Sequence, residues 1–149
     1  MGSMMNKSEI EKWLKKYKID NYTINSDLTV DVKGNVNISS NPLKAIPFQF
    51  GKVDGDFYCG NNELTSLEHC PMIISGNFNC SWNNLTSLEH CPKTVSGYFY
   101  CYNNPFVANQ KNVASWIRAI GIHKNVYTHI PKDQITSDLT QLQKMMWEV

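Results

Sequence analysis

No run of apolar residues in this 149-residue chain approaches the roughly 20 that a membrane-spanning helix needs, and no charged-then-apolar leader opens it. The expectation is a soluble, cytoplasmic protein with no membrane partner. An excess of one charge is missing as well, since 14 Lys and Arg stand against 13 Asp and Glu. Without a broad positive field, nucleic acid is a poor candidate ligand. The chain has no phosphate-binding loop, no Gly-x-Ser-x-Gly turn and no Cys-x-x-Cys pair. The reading is therefore no enzyme, no cofactor and no metal. Residues 1–5, opening Met1-Gly2-Ser3-Met4, look like a cloning remnant before a native start at Met4 or Met5.

What the chain has is repetition. Gly34, Gly55, Gly76 and Gly97 recur at a fixed interval of 21 residues, and the stretch from Gly76 to Pro92 nearly duplicates that from Gly55 to Pro71. Such self-similarity marks a solenoid, in which each unit is too small to fold alone and buries its apolar side against its neighbours. Successive units supply Val36 and Ile38, Phe57 and Cys59, Phe78 and Cys80, then Phe99 and Cys101 as inward strand positions. Leu43 and Ile46, Leu64 and Leu67, Leu85 and Leu88, and finally Phe106 form a second apolar set, with Val53, Ile74 and Val95 on the returning side. Asn41, Asn62, Asn83 and Asn104 form a column expected to satisfy backbone groups where the chain leaves the strand.

Three of the five cysteines, Cys59, Cys80 and Cys101, occupy one repeat position, which suits reduced thiols serving as small buried hydrophobes rather than a disulfide framework. The pairs His69-Cys70 and His90-Cys91 have ligand chemistry. In an extended stretch, however, neighbours point opposite ways, so Cys is expected in the core and His in solvent. Glu68 and Glu89 are repeated residues without a cleft, and they read as architectural rather than as a glycosidase pair.

The expected organisation is one domain over residues 6–149. Residues 6–33 form an N-terminal cap, namely an amphipathic helix over 6–18 with Ile10, Trp13, Leu14 and Tyr17 on its apolar face, then a hairpin. Ser8 and Glu11 have capping-box spacing, and the lysines at 12, 15, 16 and 18 read as a solvated face. Residues 34–106 carry the repeats. Residues 107–149 are expected as a helical C-terminal cap, with Val113, Trp116, Ile117 and Ile120 on one helix and Ile135, Leu139, Leu142 and Met146 on another. The fold class is an α/β repeat solenoid of four coils around a parallel sheet, helix-capped at both ends.

Strand alternation also identifies the outward face. Its columns run Asn35, Asp56, Asn77, Tyr98; Asn37, Tyr58, Asn79, Tyr100; Ser39, Gly60, Ser81, Tyr102; and Ser40, Asn61, Trp82, Asn103. Aromatics gather toward the last coils. Tyr58, Asn61, Asn79, Trp82, Tyr98, Tyr100 and Tyr102 are the candidate partner-binding residues, rigid amphipathic rings set among amides. Strand propensity alone would not confine the aromatics to one end.

The repeat pattern G-x-F-x-C-x-x-N-x-L-T-S-L-E-x-C-P is similar to the short bacterial leucine-rich repeat, and over residues 6–106 the chain resembles leucine-rich-repeat proteins encoded by tailed bacteriophages. The resemblance implies a protein-interaction solenoid acting in the cytoplasm of a bacterial host cell, with a host protein such as a defence factor as partner. Related secreted effectors join such repeats to a ubiquitin-ligase domain with a catalytic cysteine. Here no cysteine follows Cys101, so that activity does not carry over. Alternatives are an inhibitor or ligand binder acting through the C-terminal helices, and a self-assembling component. The expected state is a monomer or weak homo-oligomer.

Overall fold

The computed structural model describes residues 4–108 and 126–127. Its architecture is a parallel-sheet β-solenoid of about three turns with one helix. The helix α1 (Lys7–Lys16) opens at Asn6, whose side chain accepts the Glu9 N–H while the Glu9 carboxylate accepts the Asn6 N–H. The capping box is thus Asn6–Glu9, two residues ahead of the Ser8–Glu11 pair that the spacing suggested. Asn caps as well as Ser does, and the earlier start adds about half a turn to a helix whose Ile10 and Leu14 are fully buried. Trp13 packs edge-on to Phe48 at 5.0 Å, so the helix lids the first turn as expected.

A hairpin follows, with β1 (Tyr22–Ile24) antiparallel to β2 (Val30–Lys33). Its turn is held by Asp27, whose carboxylate accepts both the N–H and the hydroxyl of Thr29; these hydrogen bonds hold the Asp27 carboxyl below the usual carboxylate range. The chain then alternates between two sheets. β3 (Val36–Asn37), β5 (Phe57–Tyr58), β7 (Phe78–Asn79) and β9 (Phe99–Tyr100) lie in one sheet, closed at its end by β10 (Val126–Tyr127). β4 (Phe50–Asp54), β6 (Ile73–Ile74) and β8 (Thr94–Val95) extend the hairpin into the other, in the order β1-β2-β4-β6-β8. This hairpin sheet is a departure from the expected single sheet. The returning side, read from sequence as isolated apolar residues, is itself a ladder of parallel pairs such as Lys52↔Ile73 and Ile74↔Val95.

In the first-named sheet, Val36, Phe57, Phe78 and Phe99 pair in succession, and all four are fully buried. Phe50, Phe57, Phe78 and Phe99 form a continuous aromatic spine with centroid separations of 5.1, 6.1 and 5.0 Å. Each such ring contributes roughly 1.5–3 kcal/mol of burial. All five cysteines are free and buried.

The Asn column does what its position suggested. Asn83 donates from Nδ2 to the carbonyls of Cys59 and Cys80, both at 3.0 Å, and accepts the Leu64 N–H at 3.0 Å. Asn62 and Asn104 repeat this arrangement one turn away on either side. After Asn104 the chain enters a 3-10 turn, Pro105–Ala108. The helices expected within 107–149 lie outside the described residues. The described pair at 126–127 is a strand, which the sequence did not suggest.

Candidate functional site

The outward side of the sheet β10-β9-β7-β5-β3 is built by a second ladder of side chains. Asn35 Oδ1 accepts the Asp56 N–H at 2.8 Å, Asp56 Oδ1 the Asn77 N–H at 2.7 Å, and Asn77 Oδ1 the Tyr98 N–H at 2.8 Å. These bonds hold successive turns in register and deliver Tyr98 to the end of the column, where it is 43% exposed. Tyr98 lies 5.9 Å from Tyr100, and Tyr100 lies 6.5 Å from Tyr102, ring centroid to centroid. Their planes are inclined at 42° and 86°, so the rings form a faceted cluster and not a common plane. Trp82 joins the cluster through its backbone, its N–H donating to the Tyr102 carbonyl at 3.0 Å, and its side chain is 57% exposed.

The structure brings together four of the seven nominated residues: Trp82, Tyr98, Tyr100 and Tyr102. The other three are tied into the scaffold. Tyr58 donates its hydroxyl to Asp56 at 2.9 Å. The Asn77 amide on the same oxygen lowers the phenol's pKa, but burial and the Asp56 carboxylate outweigh it, and the net shift is upward. Asn61 donates to Ser40 Oγ at 2.9 Å, and Asn79 Oδ1 accepts the Ser81 N–H at 2.9 Å. Gly60 and Ser81, placed on the outward face by simple alternation, are in fact buried, Ser81 to 1% exposure.

Trp82 has an unusual backbone. Its φ is +59°, in the left-handed region, and Ser40, Asn61 and Asn103 in the same column share that conformation with φ of +60°, +53° and +55°. Asn tolerates it, whereas for a bulky side chain the penalty is about 1–2 kcal/mol. A second penalty follows from the column. Asn61 satisfies its amide on Ser40, but the residue one turn before Asn103 is Trp82, which has no acceptor on its side chain. Asn103 Nδ2 is buried with no hydrogen-bond partner, and so is Ser81 Oγ. Both orphaned groups flank Trp82, one in its column and one beside it in sequence. Sequence reasoning found Trp82 from its type, but the backbone signal lay only in its alignment with Asn61 and Asn103.

Elsewhere, Cys70 and Cys91 point into the core while His69 is half-buried and His90 exposed. The separation is the expected one, but its cause differs: His69 and His90 are left-handed, with φ of +77° and +66°, and the stretch is a turn and not extended. His69 Nδ1 lies 2.7 Å from the Ile46 carbonyl. Glu68 and Glu89 are exposed, their N–H groups donating to Ser66 and Ser87 Oγ. Among the described residues no group of three His, Cys, Asp or Glu side chains is placed to hold a metal. A cavity of about 310 Å³ lies on the hairpin sheet, lined by Tyr22 and by the opposed charges Asp31, Lys33, Lys52 and Asp54, away from the aromatic cluster. No helix among the described residues is long and apolar enough to cross a membrane. Compared with known proteins, the chain matches no family model, no curated protein and no solved structure.

Proposed function

We propose that the chain is a non-enzymatic interaction module that binds a protein partner through the Trp82, Tyr98, Tyr100 and Tyr102 cluster, with Tyr58, Asn61 and Asn79 at its margin. The observation that carries this reading is Trp82, a large ring more than half exposed at a backbone position that suits Asn. Fold stability gives no reason to keep it there, and an aromatic anchor on a binding face does. The tilt of the rings favours a protein surface over a stacked base or sugar, which needs one flat platform.

The finer architecture belongs to the same proposal: a four-coil, leucine-rich-repeat-like solenoid of 21-residue period, of the kind carried by tailed bacteriophages, acting in the host cytoplasm on a host protein. The bonds between side chain and backbone 21 residues apart support it. Affinity capture from bacterial lysate tests the face, with wild type beside the double variant Trp82→Ala/Tyr100→Ala. A protein retained by the first and lost by the second is expected. Equal retention of every captured protein would remove the face from consideration.

A further inference from the structure

We infer that two copies of this chain pair through β1, antiparallel across a two-fold axis at Thr23, so that their hairpin sheets join edge to edge. β1 ends the sheet β1-β2-β4-β6-β8, and among the described residues β2 is its one strand neighbour. The Lys33 N–H donates to the Asn21 carbonyl and the Asn25 N–H to the Thr29 carbonyl, both at 2.8 Å, so the odd-numbered residues direct their backbone groups at β2. The N–H and C=O of Tyr22 and Ile24 therefore point to the open edge, where no partner meets them among the described residues.

Edges of this kind are ordinarily blunted by lysine, proline or brevity. The other end of the sheet follows that rule, since β8 is two residues long and directly follows Lys93. Tyr22-Thr23-Ile24 has no charge and no proline, and all three residues favour strands. A copy turned about Thr23 sets Tyr22 opposite Ile24 twice, and each of those pairs exchanges two backbone hydrogen bonds. It also sets exposed Thr23 directly against its counterpart, a favourable cross-strand pair.

The flank suits a copy as well. A groove of about 530 Å³ is lined by Tyr22 together with Glu11, Lys12, Lys15 and Asp20, and none of these four charged side chains makes an ion pair among the described residues. Two acids and two bases on one surface complement the same surface turned through a two-fold, whereas a partner of one charge sign meets as much repulsion as attraction. The aromatic cluster lies on the other sheet, so the pairing leaves it open and the dimer presents it twice.

Sedimentation velocity of the full chain over a concentration series tests the pairing. Wild type is expected to move from monomer to dimer as concentration rises. Thr23→Lys and Thr23→Glu each place like charges face to face at an exposed position, and each should weaken association about fivefold or more with an unchanged circular dichroism spectrum. Mixed in equal amounts, the two variants should regain association, because lysine then faces glutamate. Trp82→Ala/Tyr100→Ala should dimerise as wild type does, and loss of its dimer would move the contact to the aromatic face. A wild type that stays monomeric throughout overturns the pairing. Dimers that withstand both charge variants overturn β1 as the interface, and a mixture no more associated than its components overturns the two-fold at Thr23.

Discussion

Asn77 Oδ1 accepts the backbone N–H of Tyr98 at 2.8 Å, and a Cβ added to the residue before it, Gly97, would collide with that same carboxamide oxygen. The ladder and the glycine column are one device. Each Asn or Asp reaches along the solenoid to the next turn, and its oxygen fills the space where the next glycine's side chain would stand. Gly76 repeats the relation with Asp56, and the preceding turn's backbone closes in as well, Gly55 carbonyl carbon and oxygen each at 2.8 Å from the added Cβ. The ladder ends at Tyr98, whose side chain has no carbonyl to hand on. The column becomes aromatic where its structural task stops.

Gly97→Ala should therefore lower stability by about 2–3 kcal/mol, the usual range for forced overpacking. Asn77→Ala in the same background should relieve part of that loss, because one of the colliding atoms is gone. Relief cannot be complete, since Gly76 O still lies 2.8 Å from the new Cβ. Urea unfolding of the two single variants and the double variant gives the coupling directly, and strict additivity would refute the shared-space account.

Asn83→Ala should be among the most damaging polar substitutions. Asn83 is only 6% exposed and serves two carbonyls and one N–H, all buried, so its removal leaves backbone groups unsatisfied at about 3 kcal/mol in total. Asn41, exposed at the start of the same column, should lose under about 1 kcal/mol on the same change. Denaturant midpoints check the contrast. Equal midpoints for the two variants would mean that burial does not set the value of the column.

High pH should weaken the fold through its thiols. Burial raises the Cys91 thiol to about 12 and pushes Cys101 up further. Burial also raises Cys70 and Cys80, assisted at Cys70 by its hydrogen bond with Cys59. An unfolded thiol ionises near 8.5, so between roughly pH 9 and 12 the unfolded chain sheds protons that the folded chain keeps. Stability from these groups is complete below pH 8.5 and is lost as pH rises through that window. Melting temperatures should be flat in this respect from pH 6 to 8 and fall above about 9. The native protein should resist alkylation at neutral pH, and urea should expose all five thiols. Rapid labelling without denaturant would contradict the buried assignment.

The sequence shows some of these features and hides others for physical reasons. Four strands of the outward-facing sheet were legible because Phe57, Phe78 and Phe99 recur with a partner two residues on, which is the period of a strand. The return strands were not, because each unit offers there a single repeated apolar position, Val53, Ile74 and Val95, with no repeated apolar partner two residues away to show a strand period. The helix was legible from Ile10 and Leu14, but two capping pairs compete within three residues, and only packing decides for Asn6. At the site, residue type led to the aromatic rings. The burial of Gly60 and Ser81 was hidden because the strands Phe57–Tyr58 and Phe78–Asn79 end two residues earlier, so the alternation on which the reading relied no longer holds there.

Trp82→Asn is the substitution that separates fold from function most sharply. Asn tolerates φ of +59° and restores an acceptor for the orphaned Asn103 amide, as Ser40 provides for Asn61. Relief of backbone strain contributes about 1–2 kcal/mol and the regained hydrogen bond about 1 kcal/mol. Loss of the contacts made by the covered part of the indole offsets part of this, leaving a net gain of about 1 kcal/mol, or roughly 3 °C in melting temperature for a chain of this size. Trp82→Ala supplies the control, since alanine keeps most of the left-handed strain and offers no acceptor. The asparagine variant should melt above both wild type and the alanine variant. If it melts at or below the alanine variant, the column does not set the preference at this position. Trp82 could then no longer be read as a residue held against the interest of the fold.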